Sequence, residues 1–209
     1  MKVLGACILT LIIAVTAFAG EGASVVSAVE NTSPLRNTVA PPVIKESYKY
    51  YEVSGCCEKD LHCDLIDKCI RMQNGKKADS TTAWKIKWNY GHTQSSNACI
   101  AEAFTVTVDV VFNMPKWVPN GKAPLELEEK WSTYVEKLML HERGHRDRAV
   151  DAANSLTRAV AGLTPPATCE ALEREINSLS RKQLENLVKE QEKYDAVTRH
   201  GSTQGAVFP

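Results

Sequence analysis

His141-Glu142-Arg143-Gly144-His145 reads H-E-x-x-H. On a helix, histidines four residues apart stand on one face, one turn above the other. Their ring nitrogens can share one tetrahedral zinc, with the glutamate between them placed beside a metal-bound water as a general base. The bland alternative is a solvated polar patch. The periodicity of the surrounding segment opposes it, because Tyr134, Leu138, His141, His145, Ala152 and Leu156 fall on one inward side. Two imidazoles and a carboxylate buried without a partner would be strongly destabilising.

A hydrolytic zinc needs a third protein ligand and one open position. The extended pattern H-E-x-x-H-x-x-G-x-x-H is absent, with Arg148 where its glycine would stand and Asp151 where its last ligand would stand. With no glycine to break the helix, Asp151 points away from the histidine face. The helix carrying the motif is expected over Leu125–Ala161, stopped by Gly162 and Pro165-Pro166, and a second from the N-cap Thr168 to about Lys193. If the second returns antiparallel at ~1.5 Å per residue, it comes level with the histidines near residues 186–190. The ligand candidates are then Glu190, Glu192, Asp195 and His200, while Glu173 and Glu175 lie too far away. His200 is favoured, since it precedes Gly201 in a segment able to turn inward and would complete a three-histidine site. Asp195 is the alternative ligand, or holds a histidine by its second ring nitrogen. Tyr194 is a candidate donor to an oxyanion, or else packs the helix end. Arg148 is expected to pair with a carboxylate.

The rest of the chain must build a frame for those helices. Ala83–Tyr90 alternates, with Trp84, Ile86, Trp88 and Tyr90 opposite Lys85, Lys87 and Asn89; Ala103–Asn113 does the same with Phe104, Val106, Val108, Val110 and Phe112. Period two means half-buried strands, expected antiparallel in one sheet. Tyr48–Val53 is a further strand and Glu58–Met72 a short helix. The fold class is α+β: a small antiparallel sheet packed on two long antiparallel helices, with a tail from Asp195 to Pro209.

Residues 1–19 read as a cleavable signal peptide: Lys2, an apolar run to Phe18, and Ala17-Phe18-Ala19 before Gly20. Residues 20–45, ending in Pro41-Pro42, read as a flexible linker, which leaves 46–209 as the folded domain. Removing Cys7 with the signal leaves Cys56, Cys57, Cys63, Cys69, Cys99 and Cys169, an even number that an oxidising compartment would pair as disulfides. The reading is of an exported chain, secreted or periplasmic, with no membrane anchor once the signal is removed. Lys plus Arg and Asp plus Glu are both 25, so no nucleic-acid partner is expected.

H-E-R-G-H on a long helix, a cysteine after the next turn, and the tail Tyr194-Asp195-Ala196-Val197-Thr198-Arg199-His200-Gly201 with Gln204-Gly205 resemble a known family. It is the family of predicted secreted zinc-dependent proteases of bacteria, placed among the zincin metallopeptidases. Trp88-Asn89-Tyr90, Cys99 and Met114-Pro115-Lys116-Trp117 fit the same layout, and the resemblance runs roughly from Tyr48 to Phe208. It implies His141 and His145 as zinc ligands, Glu142 as catalytic base, and a peptide or protein substrate. In zincins an edge strand pairs with extended substrate, and Ala103–Asn113 is the candidate strand here. The rival reading is a disulfide-stapled secreted binding module whose zinc is structural or vestigial; a structural site would want a fourth protein ligand.

Overall fold

The computed structural model describes residues 35–72 and 75–208. The expected signal peptide, and the expected linker up to residue 34, lie outside those residues. In chain order the elements are β1 (Val43–Val53), α1 (Glu58–Lys68), β2 (Ile70–Arg71), β3 (Lys77–Ala78), β4 (Thr81–Gln94), β5 (Cys99–Trp117), α2 (Leu125–Ala161), α3 (Cys169–Thr198) and a 3-10 turn at Ser202–Gln204. The architecture is α+β: a three-stranded sheet in the order β1-β5-β4 covered by the long helices, with β2 and β3 forming a small separate ribbon.

The alternation seen in the sequence sets the faces of the sheet. Phe104, Val106, Val108, Val110, Phe112 and Met114 of β5 are all at most 1% exposed and lie under the helices. Burying side chains of this kind stabilises by ~1.5–3 kcal/mol each, which makes β5 the spine of the core. Trp84, Ile86 and Trp88 of β4 pair with Val110, Val108 and Val106 and share that face.

Not every strand is antiparallel. β4 and β5, joined by a short turn, pair antiparallel, but β1 runs parallel to β5 over Val43–Val53. A tight turn dictates antiparallel pairing only between strands adjacent in sequence; β1 reaches β5 after α1, the ribbon and β4, so its direction is free of that constraint. β1 also begins earlier than expected. Within the stretch read as linker to residue 45, the described part is fixed to the domain. The buried Asn37 donates to Val160 O and Leu163 O and accepts from Ala101 N, and Val39 bridges to Phe104.

α2 has the expected bounds, its inward stripe including Leu127, Tyr134, Leu138, His141, Ala149, Ala153, Leu156 and Val160. The Thr168 side chain accepts from Ala171 N and caps α3. Cys99 and Cys169 form a disulfide across a separation of 70 residues, tying the start of β5 to the start of α3. Closing a loop of that length stabilises by about 4 kcal/mol in the chain-entropy account. The cross-link points to a non-cytoplasmic setting. The expectation that all six cysteines pair is corrected, because Cys56, Cys57, Cys63 and Cys69 are free thiols. Cys57, Cys63 and Cys69 are spread along α1 and its caps at six-residue steps, ~9 Å of helix rise each, beyond the reach of a disulfide.

The tail returns to the body of the protein. Phe208 is buried, its ring 5.2 Å from that of Tyr134 and 6.0 Å from that of Trp131. Among the described residues no helix is long and apolar enough to cross a membrane.

Candidate metal centre

The two histidines of α2 meet α3 where it passes antiparallel beside them. His145 Nε2 lies 3.0 Å from Asp195 Oδ1, His141 Nε2 lies 3.4 Å from the same oxygen, and the two Nε2 atoms are 3.3 Å apart. Ligand bonds of ~2.0–2.1 Å at tetrahedral angles place neighbouring ligand atoms about 3.3 Å apart, so the three separations already suit one ion. Asp195, not His200, joins the histidines in this group. His200 stands at the rim with its side chain 66% exposed and Nδ1 3.5 Å from Asp195 Oδ1. Glu190 and Glu192 lie outside the cluster, as does Asp151, which is exposed and lines a separate hollow between α2 and α3 with Arg148 and Gln183.

The contacts pair residue 145 with 191 and 141 with 195. α3 is therefore displaced by roughly one and a half turns from the level expected for a tight connection. The connecting segment 162–168 supplies that displacement, and it decides which carboxylate faces the imidazoles.

Both rings are held by their other nitrogen. His141 Nδ1 donates to Gln204 Oε1 at 3.0 Å and His145 Nδ1 to Gln191 Oε1 at 2.5 Å. The amide orientations follow from the network: Gln191 Nε2 donates to His145 O, and Gln204 Nε2 to Tyr194 Oη. With Nδ1 protonated, each neutral ring turns its Nε2 lone pair toward Asp195. Three acceptors thus converge with no donor among them, an arrangement that calls for a cation or a proton. Burial alone would lower the pKa of His145, but hydrogen bonds to Asp195 and Gln191 outweigh it and leave it raised. Burial would raise that of Asp195, yet with a proton rather than a cation between the groups, Nε2–H bonds from His141 and His145 hold it well below the usual carboxylate range. Two imidazoles and one carboxylate are a donor set that fits zinc with a corner left open.

Glu142 is buried and tied to the start of β4: Ser80, the residue before the strand, donates through Oγ to its Oε1 and Thr82 through Oγ1 to its Oε2, each at 2.6 Å. Each oxygen keeps lone-pair capacity beyond that bond. The segment leading into β4 is itself anchored, since Tyr134 Oη donates to Asp79 Oδ2 at 2.6 Å and Tyr51 Oη to Asp79 O at 2.8 Å. Burial first, then the Asp79 charge, pushes both phenols upward, so both remain donors. A cleft of about 520 Å³ opens on this constellation and is lined by His141, Glu142, His145, Asp195 and His200 together with Thr81, Thr82, Trp84, Cys69 and Leu138.

Tyr194 is not among the residues lining the cleft. Its hydroxyl donates to His141 O, and its ring stacks on that of His141 at 5.0 Å. The Arg148 guanidinium lies 3.7 Å above the ring and donates to Gly144 O, so Arg148 is a cation–π partner and not, as expected, a carboxylate partner. Tyr194 lies against the His141 ring, outside the cleft lining. Gly144 makes room for it: a Cβ there would fall 2.0 Å from Tyr194 Oη. On an exposed helix Gly→Ala gains about 1 kcal/mol. Here Gly144→Ala is expected to lose ~1–3 kcal/mol by overpacking and to weaken metal binding as Tyr194 shifts His141. Denaturant midpoints with a zinc titration check this, and a gain in stability would contradict it.

Gln191, Gln204, Ser80 and Thr82 escaped the reading of the sequence. Gln204 stands in the tail motif, but no spacing rule singles out the other three.

The fold and site define an α+β protein with a helix-borne His-His-Asp group able to hold one metal ion. Residues 48–201 match the family described as bacterial protein of unknown function (DUF922), and the chain belongs to it. No curated protein and no solved structure matches the chain.

Proposed function

We propose that this protein is an exported zinc-dependent peptidase, hydrolysing amide bonds of peptide or protein substrates. One observation carries the reading. His141, His145 and Asp195 converge on a point in an open cleft, and Glu142 is held beside them by two hydroxyls. A structural site has no need of such a carboxylate and would be closed by four side chains.

A zinc ion held there would polarise the scissile carbonyl and bring the pKa of its water toward ~7. The chain's own groups do the remainder. Glu142 accepts the proton of the attacking water and returns it to the leaving amine, while Ser80 and Thr82 keep its carboxylate from rotating away. Gln191 and Gln204 hold the histidines in the tautomer that presents Nε2. The strand available to an extended substrate is β4, not β5: β5 is paired on both sides, whereas β4 ends the sheet and lines the cleft through Thr81, Thr82 and Trp84. Pairing along that edge supplies affinity through backbone bonds without demanding a particular sequence.

The test is zinc stoichiometry of the purified chain, measured together with cleavage of an unbiased peptide library. One equivalent of zinc with chelator-sensitive cleavage is expected. Zinc without turnover would move the assignment to the disulfide-stapled binding module.

A further inference from the structure

Attack on a carbonyl converts its oxygen to an oxyanion: the water oxygen bonds to carbon, and the C=O π pair moves onto oxygen. A donor aimed at that oxygen accounts for much of the rate in such sites. Around the metal group several side-chain donors are committed elsewhere. Ser80 and Thr82 donate to Glu142. The amide of Gln191 donates to His145 O, and that of Gln204 to Tyr194. Tyr194 itself donates to His141 O, and Arg148 to Gly144 O, both behind the ligands. Lys77 reaches back to Ile66 O at 2.9 Å.

His200 stands apart from that pattern. Its ring lines the cleft beside Asp195, exposed to solvent and outside the group that His141, His145 and Asp195 form. Its backbone is fixed by a bond from its N–H to Asp195 O at 2.9 Å. Arg199, His200 and Gly201 follow one another at φ 49°, 53° and 84°. Two successive non-glycine residues in the left-handed region are unfavourable. The turn they make carries Gly201 against the His141 ring, where a Cβ would fall 3.0 Å from Cγ, and points His200 into the cleft mouth. Glu142 is held by Ser80 and Thr82, whereas His200 follows the end of α3, so the base and this donor line one cleft from different elements.

We propose that His200 is a catalytic residue whose imidazole N–H donates a hydrogen bond to the carbonyl oxygen as negative charge develops on it. This rests on the peptidase reading, and it gives His200 a role other than that of third ligand.

The test compares the zinc-loaded full chain with its His200→Ala and His200→Gln variants in three measurements: zinc content, kcat and KM on a cleaved peptide, and affinity for a phosphinic peptide that mimics the tetrahedral anion. His200→Ala is expected to keep its zinc and its KM, to lose about 100-fold in kcat, and to lose phosphinic-peptide affinity in parallel. His200→Gln, which retains a donor, recovers part of both. Loss of zinc from His200→Ala would overturn the proposal by making His200 a ligand, and unchanged kcat and phosphinic affinity would overturn it by making His200 a bystander. If the wild type binds the phosphinic peptide in a His200-dependent way but cleaves no peptide, the peptidase reading fails while the anion-binding role stands.

Discussion

Glu142→Gln is expected to leave the protein folded and loaded with zinc while cutting peptide turnover by about 10²- to 10⁴-fold, the usual worth of a positioned base. Glutamine has the shape of glutamate, so its oxygen still accepts from one of the Ser80 and Thr82 hydroxyls while its amide N–H donates to the other. The side chain does not belong to the metal group, so zinc content should not move. What disappears is the acceptor for the proton of water. Turnover at the wild-type level by a zinc-replete variant would remove Glu142 from the mechanism.

The second large effect concerns the metal itself. Asp195→Ala is expected to weaken zinc binding by well over the ~10- to 100-fold typical of losing an orienting partner, because a ligand is removed. Among the described residues, Asp195 is the one acid whose carboxylate lies within 4 Å of both Nε2 atoms of His141 and His145. Its backbone carbonyl still caps the turn through His200 N, so the fold at the end of α3 should persist. Competition with a chromophoric chelator reads the affinity, and circular dichroism checks the fold. Unchanged zinc affinity would exclude Asp195 from the ligand set. Paired with His200→Ala, which is expected to retain zinc, the experiment separates the carboxylate suggested by the geometry from the imidazole suggested by the sequence.

The difference between those two residues shows where sequence reasoning gives out. The helix arithmetic brought the end of α3 beside the histidines, and Asp195 was among its candidates. A displacement of roughly one and a half turns, arising in the segment 162–168, then decided which side chain faced inward. Nothing local to residues 190–200 carries that information. Tyr194 is a parallel case: its type admits a catalytic or a packing role, and it is the missing Cβ of Gly144 that makes room for its hydroxyl behind the His141 ring.

Through its short-range periodicities the chain alone determined the bounds of α2, the two faces of β4 and β5, and the placing of His141 and His145 on one inward stripe. A period of two or 3.6 is imposed by the backbone on each segment separately, so it can be read without knowing the partner. The parallel direction of β1, the pairing of Cys99 with Cys169, and the hydroxyls and amides that hold Glu142, His141 and His145 were decided only by the tertiary structure. They depend on the register between elements far apart in the chain. That register is set by loop lengths and packing, and a shift of one turn exchanges one facing residue for another.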